Sequence, residues 1–433
     1  MDKVKSFASS LVGANPGRAA LENKSPDDVV ITLAIRSPLC KARKGGFKDT
    51  RSDELLTEMY KAVTTRAGFD VKLIEDICVG NVLTPAPTFE ARAAALAAGL
   101  PDSTPVQVIN RFCSSGLMAV TTIANQIRAG QIEIGLAIGS ESMSSHPDQG
   151  SPPLSEEIMT HNVAKDCIQP MGWTSENVAE DFNISREDMD GLAALSFQRA
   201  EAAQKAGIFA SEIAPFSVPK VNPSSGQKER VTVDHDDGIR YGTTKENLLK
   251  LKGAFPQWGK AQTTGGNASQ ITDGAAAVVL MTRRKAEELG LKVLAKHVTT
   301  AVSGLPPRIM GIGPTFAIPE ALKKAGITIA DVDLFEINEA FASMYVYCVR
   351  KLGLDIEKVN VNGGAIALGH PLDKFLIIAY PLYVSKFACI LRCTGARQIA
   401  TGLNALERRN GKILVTSMCI GTGMGAAAVF VRD

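Results

Sequence analysis

The segment AGFDVKLIEDICVGN (67–81) returns in altered form as AGITIADVDLFEIN (325–338): a helix end, a turn, a buried strand, then Asn. Each copy leads into a second shared pattern. A short strand, VQVIN (106–110) or VNVNG (359–363), meets a Gly/Ser-rich turn and then a helix, LMAVTTIANQIRAG or ARQIATGLNALERRNG. Each closes on an apolar strand ending in Gly-containing turns, IGLAIGSES or ILVTSMCIGTG. Such an echo constrains the fold strongly, because each copy must bury the same faces in the same order. Helical and strand patterns alternate with Gly at the junctions, which predicts an α/β fold with a largely parallel core. Two duplicated α/β halves would bring turns at equivalent points together at a pseudo-twofold interface.

Between the copies, 151–254 changes character. Pro-rich, mixed-charge stretches such as SPPLSEE and VPKVNPSSGQKER alternate with helical patterns. Excursions of this length in compact domains are usually functional or disordered, and this one reads as a loop domain inserted over one face. The expected division is a tip and linker (1–27), a first half (28–150, completed by about 255–290), the insertion (151–254) and a second half (291–433). In the tip, Val4, Phe7, Ala8, Leu11 and Val12 share one face of a short helix. The stretch GANPGRAALENKSPDD then reads as a linker.

Composition narrows the partners. A net charge of +2 gives no electrostatic reason to expect nucleic acid or an anionic membrane. Five His and six Tyr leave little of the basic–aromatic interleaving of single-strand binders. No run reaches the ~18 apolar residues of a membrane span. The eight Cys are scattered without the paired spacing of a zinc ribbon, so no metal is expected and most read as reduced, buried thiols.

Two of those cysteines stand out. Cys113, in NRFCSSGLMAV, follows a buried strand and precedes a helix, where the helix dipole and free N–H groups favour a thiolate. The equivalent turn of the second copy, GGAIALGHP, carries His370 among glycines that let backbone approach a substrate closely. Cys419 ends a strand in TSMCIGTGMGAA, whose Gly421, Gly423 and Gly425 make a turn suited to an oxyanion site. It is not a dinucleotide fingerprint, since the glycines close the last strand rather than open a helix. EINEAFA places Asn338 and Glu339 at a strand end, where an amide can hold a water or a carbonyl oxygen, and GGNASQITDGAAA (265–277) is a small-residue loop with room for a long ligand. Singly, each has an ordinary reading: a core thiol, a hydrogen-bonded structural histidine. Together they point to acyl-thioester chemistry, one Cys taking the acyl group and the other moving a proton. A cysteine hydrolase is the competing reading, but it needs one thiol and gives the repeat no purpose.

These motifs in this order resemble the thiolase family over nearly the whole chain from about residue 28. NRFCSSG is similar to the family's nucleophile motif, NEAFA to its Asn motif, GHP to its His motif and SMCIGTGMG to its second-Cys motif. The resemblance implies two duplicated α/β halves with five-stranded mixed sheets plus an inserted loop domain, assembled as dimers or tetramers, with a homodimer expected. It implies 3-ketoacyl-CoA and CoA as substrates and no further cofactor. Cys113 would attack the 3-keto carbon while His370 takes its proton. Cys419 would protonate the departing acetyl-CoA carbanion and then deprotonate CoA. His370 with a water on Asn338 would form one oxyanion hole, the backbone N–H groups of Cys113 and Gly421 the other. Ser269, Arg240 and Phe341 match CoA-contacting positions.

Pro170 stands where biosynthetic acetoacetyl-CoA enzymes of the family tend to carry His, which favours the degradative type of fatty-acid β-oxidation over the biosynthetic one. The tip resembles the amino-terminal peroxisomal signal at Lys3, Val4 and Leu11, with Ser10 at the His/Gln place; peroxisome is expected, with mitochondrion and cytosol as alternatives. One departure stands beside the site. Family members read GHPLG, one small residue, then TGAR; here DKFLIIAYPLYVSKFACILR (373–392) replaces the glycine. It reads as a translated intron or misplaced splice boundary. The alternatives are a native lid on an active enzyme and a catalytically impaired thiolase-like protein that binds acyl-CoA.

Overall fold

Strand composition decides the centre of the molecule. The computed structural model describes residues 17–147, 150–369 and 393–433; residues 1–16, His370 and the 373–392 segment lie outside the described residues. In chain order the strands are β1 (Val29–Arg36), β2 (Cys40–Lys41), β3 (Asp76–Gly80), β4 (Val106–Ile109), β5 (Ile134–Glu141), β6 (Phe216–Val221), β7 (Lys228–Val233), β8 (Thr272–Thr282), β9 (Ala295–Gly304), β10 (Leu334–Ile337), β11 (Ile413–Ile420) and β12 (Met424–Arg432). Rather than alternating, β5, β8, β10 and β11 are buried at every position, as expected of strands covered on both faces.

Nine strands form one path, β10-β11-β12-β9-β1-β8-β5-β3-β4, with β2 on β8. Its two ends repeat each other: β1-β8-β5-β3 answers β9-β12-β11-β10, and the halves join where Val30 and Ile31 pair with Lys296 and Ala295. Parallel pairing is confined to β3 with β4, β3 with β5, and β10 with β11; the other pairings on the path are antiparallel, so the core is mixed rather than largely parallel. The reason is connection type: β3, β4 and β5 follow one another through helices, whereas β11 returns into β12 through the short Gly421–Gly423 turn. The strand expected at 359–363 shrinks to a single bridge from Val359 to Phe335. Asn360 sits at φ +45° and spends its amide on Ile337: the Ile337 N–H donates to Oδ1 at 2.8 Å and Nδ2 donates to the Ile337 carbonyl at 2.8 Å.

Helices Ser115–Arg128 and Thr394–Arg408 occupy equivalent places and pack on each other between the halves. A Cβ on Gly395 would lie 2.4 Å from the Leu117 nitrogen, so this approach requires glycine. In the 151–254 region, helix Arg186–Lys205 starts with a capping box in which Ser185 and Asp188 serve each other's backbone N–H. That helix and Met171–Asp181 pack on helix Ala342–Leu352, and the β6–β7 hairpin lies against helix Ser52–Arg66. Part of the stretch read as linker is ordered: Gly17–Glu22 is helical, and Arg18 grips Asp333 with both guanidinium nitrogens at 3.0 and 2.9 Å. Among the described residues no helix is long and apolar enough to cross a membrane.

One buried histidine predicts a pH effect. Arg128 donates to His297 Nδ1 at 2.8 Å, which leaves the ring proton on Nε2, 2.9 Å from the Thr300 hydroxyl. Burial, then the Arg128 charge, pushes the His297 pKa down to about 3. The unfolded chain therefore binds this proton at higher pH than the folded one, and stability falls as pH drops from 6.5 toward 3. The loss approaches about 1.4 kcal/mol per pH unit, or about 2 kcal/mol by pH 5. Denaturant midpoints of wild type and His297→Gln between pH 7.5 and 5 should show a steeper acid decline in wild type; parallel curves would refute the assignment.

Candidate active site

The Cys113 turn is built from local hydrogen bonds. After β4, Phe112 adopts φ +42°, a left-handed conformation costly for a bulky residue and kept only where surroundings hold it. The Phe112 N–H donates to Asn110 Oδ1 at 3.1 Å, and the Ser115 hydroxyl donates to the Phe112 carbonyl at 2.8 Å. Ser114 caps the same turn through its hydroxyl to the Arg111 carbonyl at 2.9 Å. The small polar neighbours of Cys113 thus bend the chain so that the thiol enters a buried space at the start of helix Ser115–Arg128. There the helix N-terminus favours a sulfur anion.

The second thiol arrives from the other half. Cys419 lies one residue before the end of β11, fully buried, and donates to the Met344 sulfur at 3.4 Å. Burial, then the neighbouring Cys113, pushes its pKa well above that of an ordinary thiol, so Cys419 holds its proton. Past the strand, Thr422 takes φ +69° and Gly423 φ +91°, where a Cβ would lie 2.3 Å from the Leu305 carbonyl oxygen. Gly421 faces the ring of Phe112, so the two halves' turns touch. Cys113, Cys419 and Phe341 belong to one buried cluster with Met171, Met310, Met344 and Ala340.

Asn338 leaves β10 beside this cluster, its N–H donating to the Ser417 carbonyl at 2.9 Å, two residues before Cys419. Gln398 ties the same strand ends together by donating to the carbonyls of Glu336 and Ser417 at 2.9 and 3.2 Å. Ser269 meets the NEAFA turn, its N–H and hydroxyl both donating to the Ala340 carbonyl, at 3.1 and 2.9 Å. Phe341 caps helix Ala342–Leu352 and bridges to Ala268. Arg240 stands apart: it is exposed, donates to the Gly265 carbonyl at 3.2 Å, and lies over the Phe197 ring. His370 lies outside the described residues; the turn that leads to it is described through Gly369.

The arrangement supplies one thiol at a helix start and a second, proton-bearing thiol in the same apolar pocket. Among the described residues no group of His, Cys, Asp or Glu is placed to hold a metal ion. Sequence reasoning missed the three methionines of the cluster. Met344 carries a usable signal, falling on the buried face of the helix after NEAFA; nothing local marks Met171 or Met310.

The family profile described as thiolase, N-terminal domain, matches residues 29–284, and that described as thiolase, C-terminal domain, matches 291–374 and 390–432. The break between its two pieces falls inside 373–392. The peroxisomal 3-ketoacyl-CoA thiolase of Yarrowia lipolytica is 48% identical over 437 residues, covering 100% of both chains. The human peroxisomal 3-ketoacyl-CoA thiolase is 50% identical over 420 residues, 96% of this chain and 94% of that one. The crystal structure of the dimeric peroxisomal thiolase of Saccharomyces cerevisiae superposes with a TM-score of 0.85 at 45% identity, covering 96% of this chain and 100% of that one. With both family domains matched in order and relatives at 45–50% identity covering 96% or more of it, the chain belongs to the thiolase family.

Proposed function

We propose that this chain is a 3-ketoacyl-CoA thiolase, an acetyl-CoA C-acyltransferase of peroxisomal fatty-acid β-oxidation. One observation carries the reading: two buried thiols, one from the turn after β4 in the first half and one from the end of β11 in the second, share one apolar cluster. In the proposed route the Cys113 thiol gives its proton to His370 and its sulfur attacks the 3-keto carbon. The C2–C3 bond breaks, the acyl group stays on Cys113 as a thioester, and the acetyl-CoA carbanion takes the proton of Cys419. The raised pKa of Cys419 suits that step, since the thiol is neutral when the carbanion forms. Cys419, now a thiolate, removes the proton of incoming CoA, whose sulfur collects the shortened acyl chain and frees Cys113. Asn338 would orient the water of one oxyanion hole with His370, and the N–H groups of Cys113 and Gly421 would line the other. Ser269, Phe341 and Arg240 sit on or beside the 265–269 loop, where they would contact CoA. No group beyond the CoA substrate is needed, and the dimeric yeast relative supports a homodimer.

The peroxisomal relatives and Pro170 favour degradation over acetoacetyl-CoA synthesis. A second reading, an acyl-CoA-binding protein without turnover, has one observation behind it: the family match breaks at 375–389, a few residues after His370. The full-length protein, incubated with a 3-ketoacyl-CoA and CoA, should release acetyl-CoA and an acyl-CoA two carbons shorter in equal amounts. Binding without products in the full chain, with turnover restored when 373–392 is replaced by Gly, would establish the second reading instead.

A further inference from the structure

We propose that Glu339 is a positioning residue of the thiolysis reaction: its buried carboxylate clamps the 360–369 turn onto the strand end that carries Asn338. The inference rests on the reading above. Glu339 is 1% exposed, and three donors from two segments converge on it, two from the 360–369 turn and one from the helix that carries Ser196. Asn360 Nδ2 donates to Oε1 at 2.8 Å. The Ser196 hydroxyl donates to Oε2 at 2.6 Å, and the Ile366 N–H donates to the same oxygen at 3.1 Å. Ser196, on the long helix of the 151–254 region, accepts in turn from the Gly364 N–H at 3.0 Å.

The glycines of this turn are explained by the clamp. A Cβ on Gly364 would lie 2.3 Å from the Glu339 carboxyl carbon, and Gly363, at φ +78°, would carry one 2.5 Å from the Ser196 carbonyl oxygen. Backbone therefore lies flat against the carboxylate, which side chains would prevent. From the opposite side Gln270 donates to the Ile366 and Ala367 carbonyls at 3.1 and 2.9 Å. The turn is thus gripped through Ala367, a few residues before His370, while Glu339 itself follows Asn338 in sequence. Of the two groups assigned to one oxyanion hole, Asn338 is covalently next to the clamp and His370 follows in chain order three residues after its last held residue, Ala367.

A carboxylate is the group this geometry asks for. Both its oxygens accept, whereas a glutamine must turn its NH₂ toward one set of donors. Facing Oε2's partners, it opposes the Ile366 N–H; facing Oε1's, it opposes Asn360 Nδ2. Asn360 cannot rotate to relieve this, because its own oxygen and nitrogen are both committed to Ile337.

The test compares full-length Glu339→Gln, Ser196→Ala and Cys113→Ser by kcat, KM, thermal midpoint and the rate of Cys113 alkylation by iodoacetamide. Folded Glu339→Gln should lose roughly 10²-fold in kcat, the scale of a misplacement near 1 Å. KM should be unchanged, and Cys113 alkylation should slow by about tenfold because its proton acceptor is displaced. A structural role alone would lower the thermal midpoint without moving the alkylation rate. Wild-type kcat and alkylation in folded Glu339→Gln, or a loss that only tracks the folded fraction, overturn the inference. If Glu339→Gln does not fold, Ser196→Ala decides in the same way, a lowered kcat at unchanged KM supporting the clamp and wild-type kcat rejecting it. An inert Cys113→Ser beside a fully active Glu339→Gln sinks this inference alone, whereas an active Cys113→Ser sinks the thiolase reading itself.

Discussion

Replacing Cys113 by Ser should lower thiolysis by at least ~10⁴-fold, on the scale of nucleophile deletions in other covalent enzymes. The substitution keeps the shape of the turn, since Ser is nearly isosteric and Ser114 and Ser115 already hold the bend through the Arg111 and Phe112 carbonyls. What it removes is acidity. A helix start and a neighbouring base bring a thiol near pH 7 within reach of ionisation, but an alcohol begins far higher. The surroundings are apolar on one side, where Met171, Met310 and Met344 belong to the same buried cluster. Intact-mass analysis after one turnover without CoA should find an acyl adduct on wild type and none on Cys113→Ser. An adduct on Cys419 instead, or a serine variant that turns over, would overturn the division of labour between the thiols. Cys419→Ala should be as inactive in steady state, since neither the carbanion nor incoming CoA would have its proton partner.

Much of this site was legible because its logic is local. Cys113, Asn338, Cys419 and Gly421 sit at strand ends in small-residue turns, and the echo of 67–81 in 325–338 placed those turns at equivalent points of two halves. The structure repeats that echo strand for strand, β1-β8-β5-β3 against β9-β12-β11-β10. Where the reading failed, the deciding contacts were distant in sequence. VNVNG has strand composition, yet Asn360 is drawn into the left-handed region by the Ile337 backbone and the Glu339 carboxylate. The linker reading at 13–28 missed Arg18, whose partner Asp333 lies far along the chain. Helix Thr394–Arg408 is expected from its pattern, but its polar side is buried, Arg397 on Glu336 and Gln398 on two carbonyls. Arg397 answers Glu336, 61 residues earlier in the same half, and Thr401 donates to Glu212 of the inserted region, and no local pattern encodes either contact.

The largest stability effect is expected at such a place. Arg36 ends the apolar strand VVITLAIR and is fully buried. Nε donates to Glu212 Oε1 at 2.6 Å, and Nη1 and Nη2 grip the two oxygens of Asp236 at 2.7 and 2.8 Å. The acids have duties of their own: Thr401, on the second half's central helix, donates to Glu212 Oε1 at 2.9 Å, and the Leu39 N–H donates to Asp236 at 2.7 Å. Three parts of the chain meet on one guanidinium. Arg36→Met fills similar volume but leaves two carboxylates buried without their cation, a loss of about 3–5 kcal/mol. The denaturant midpoint should fall accordingly. The sign of the remaining question is set by desolvation. If the penalty is stranded charge rather than lost packing, the triple variant Arg36→Met, Glu212→Gln, Asp236→Asn should regain at least half of it, because the amides still accept from Thr401 and Leu39 without a charge to desolvate. A triple variant no more stable than Arg36→Met would mean that the ion cluster holds the halves together through its geometry, and that neutral groups of the same size cannot take its place.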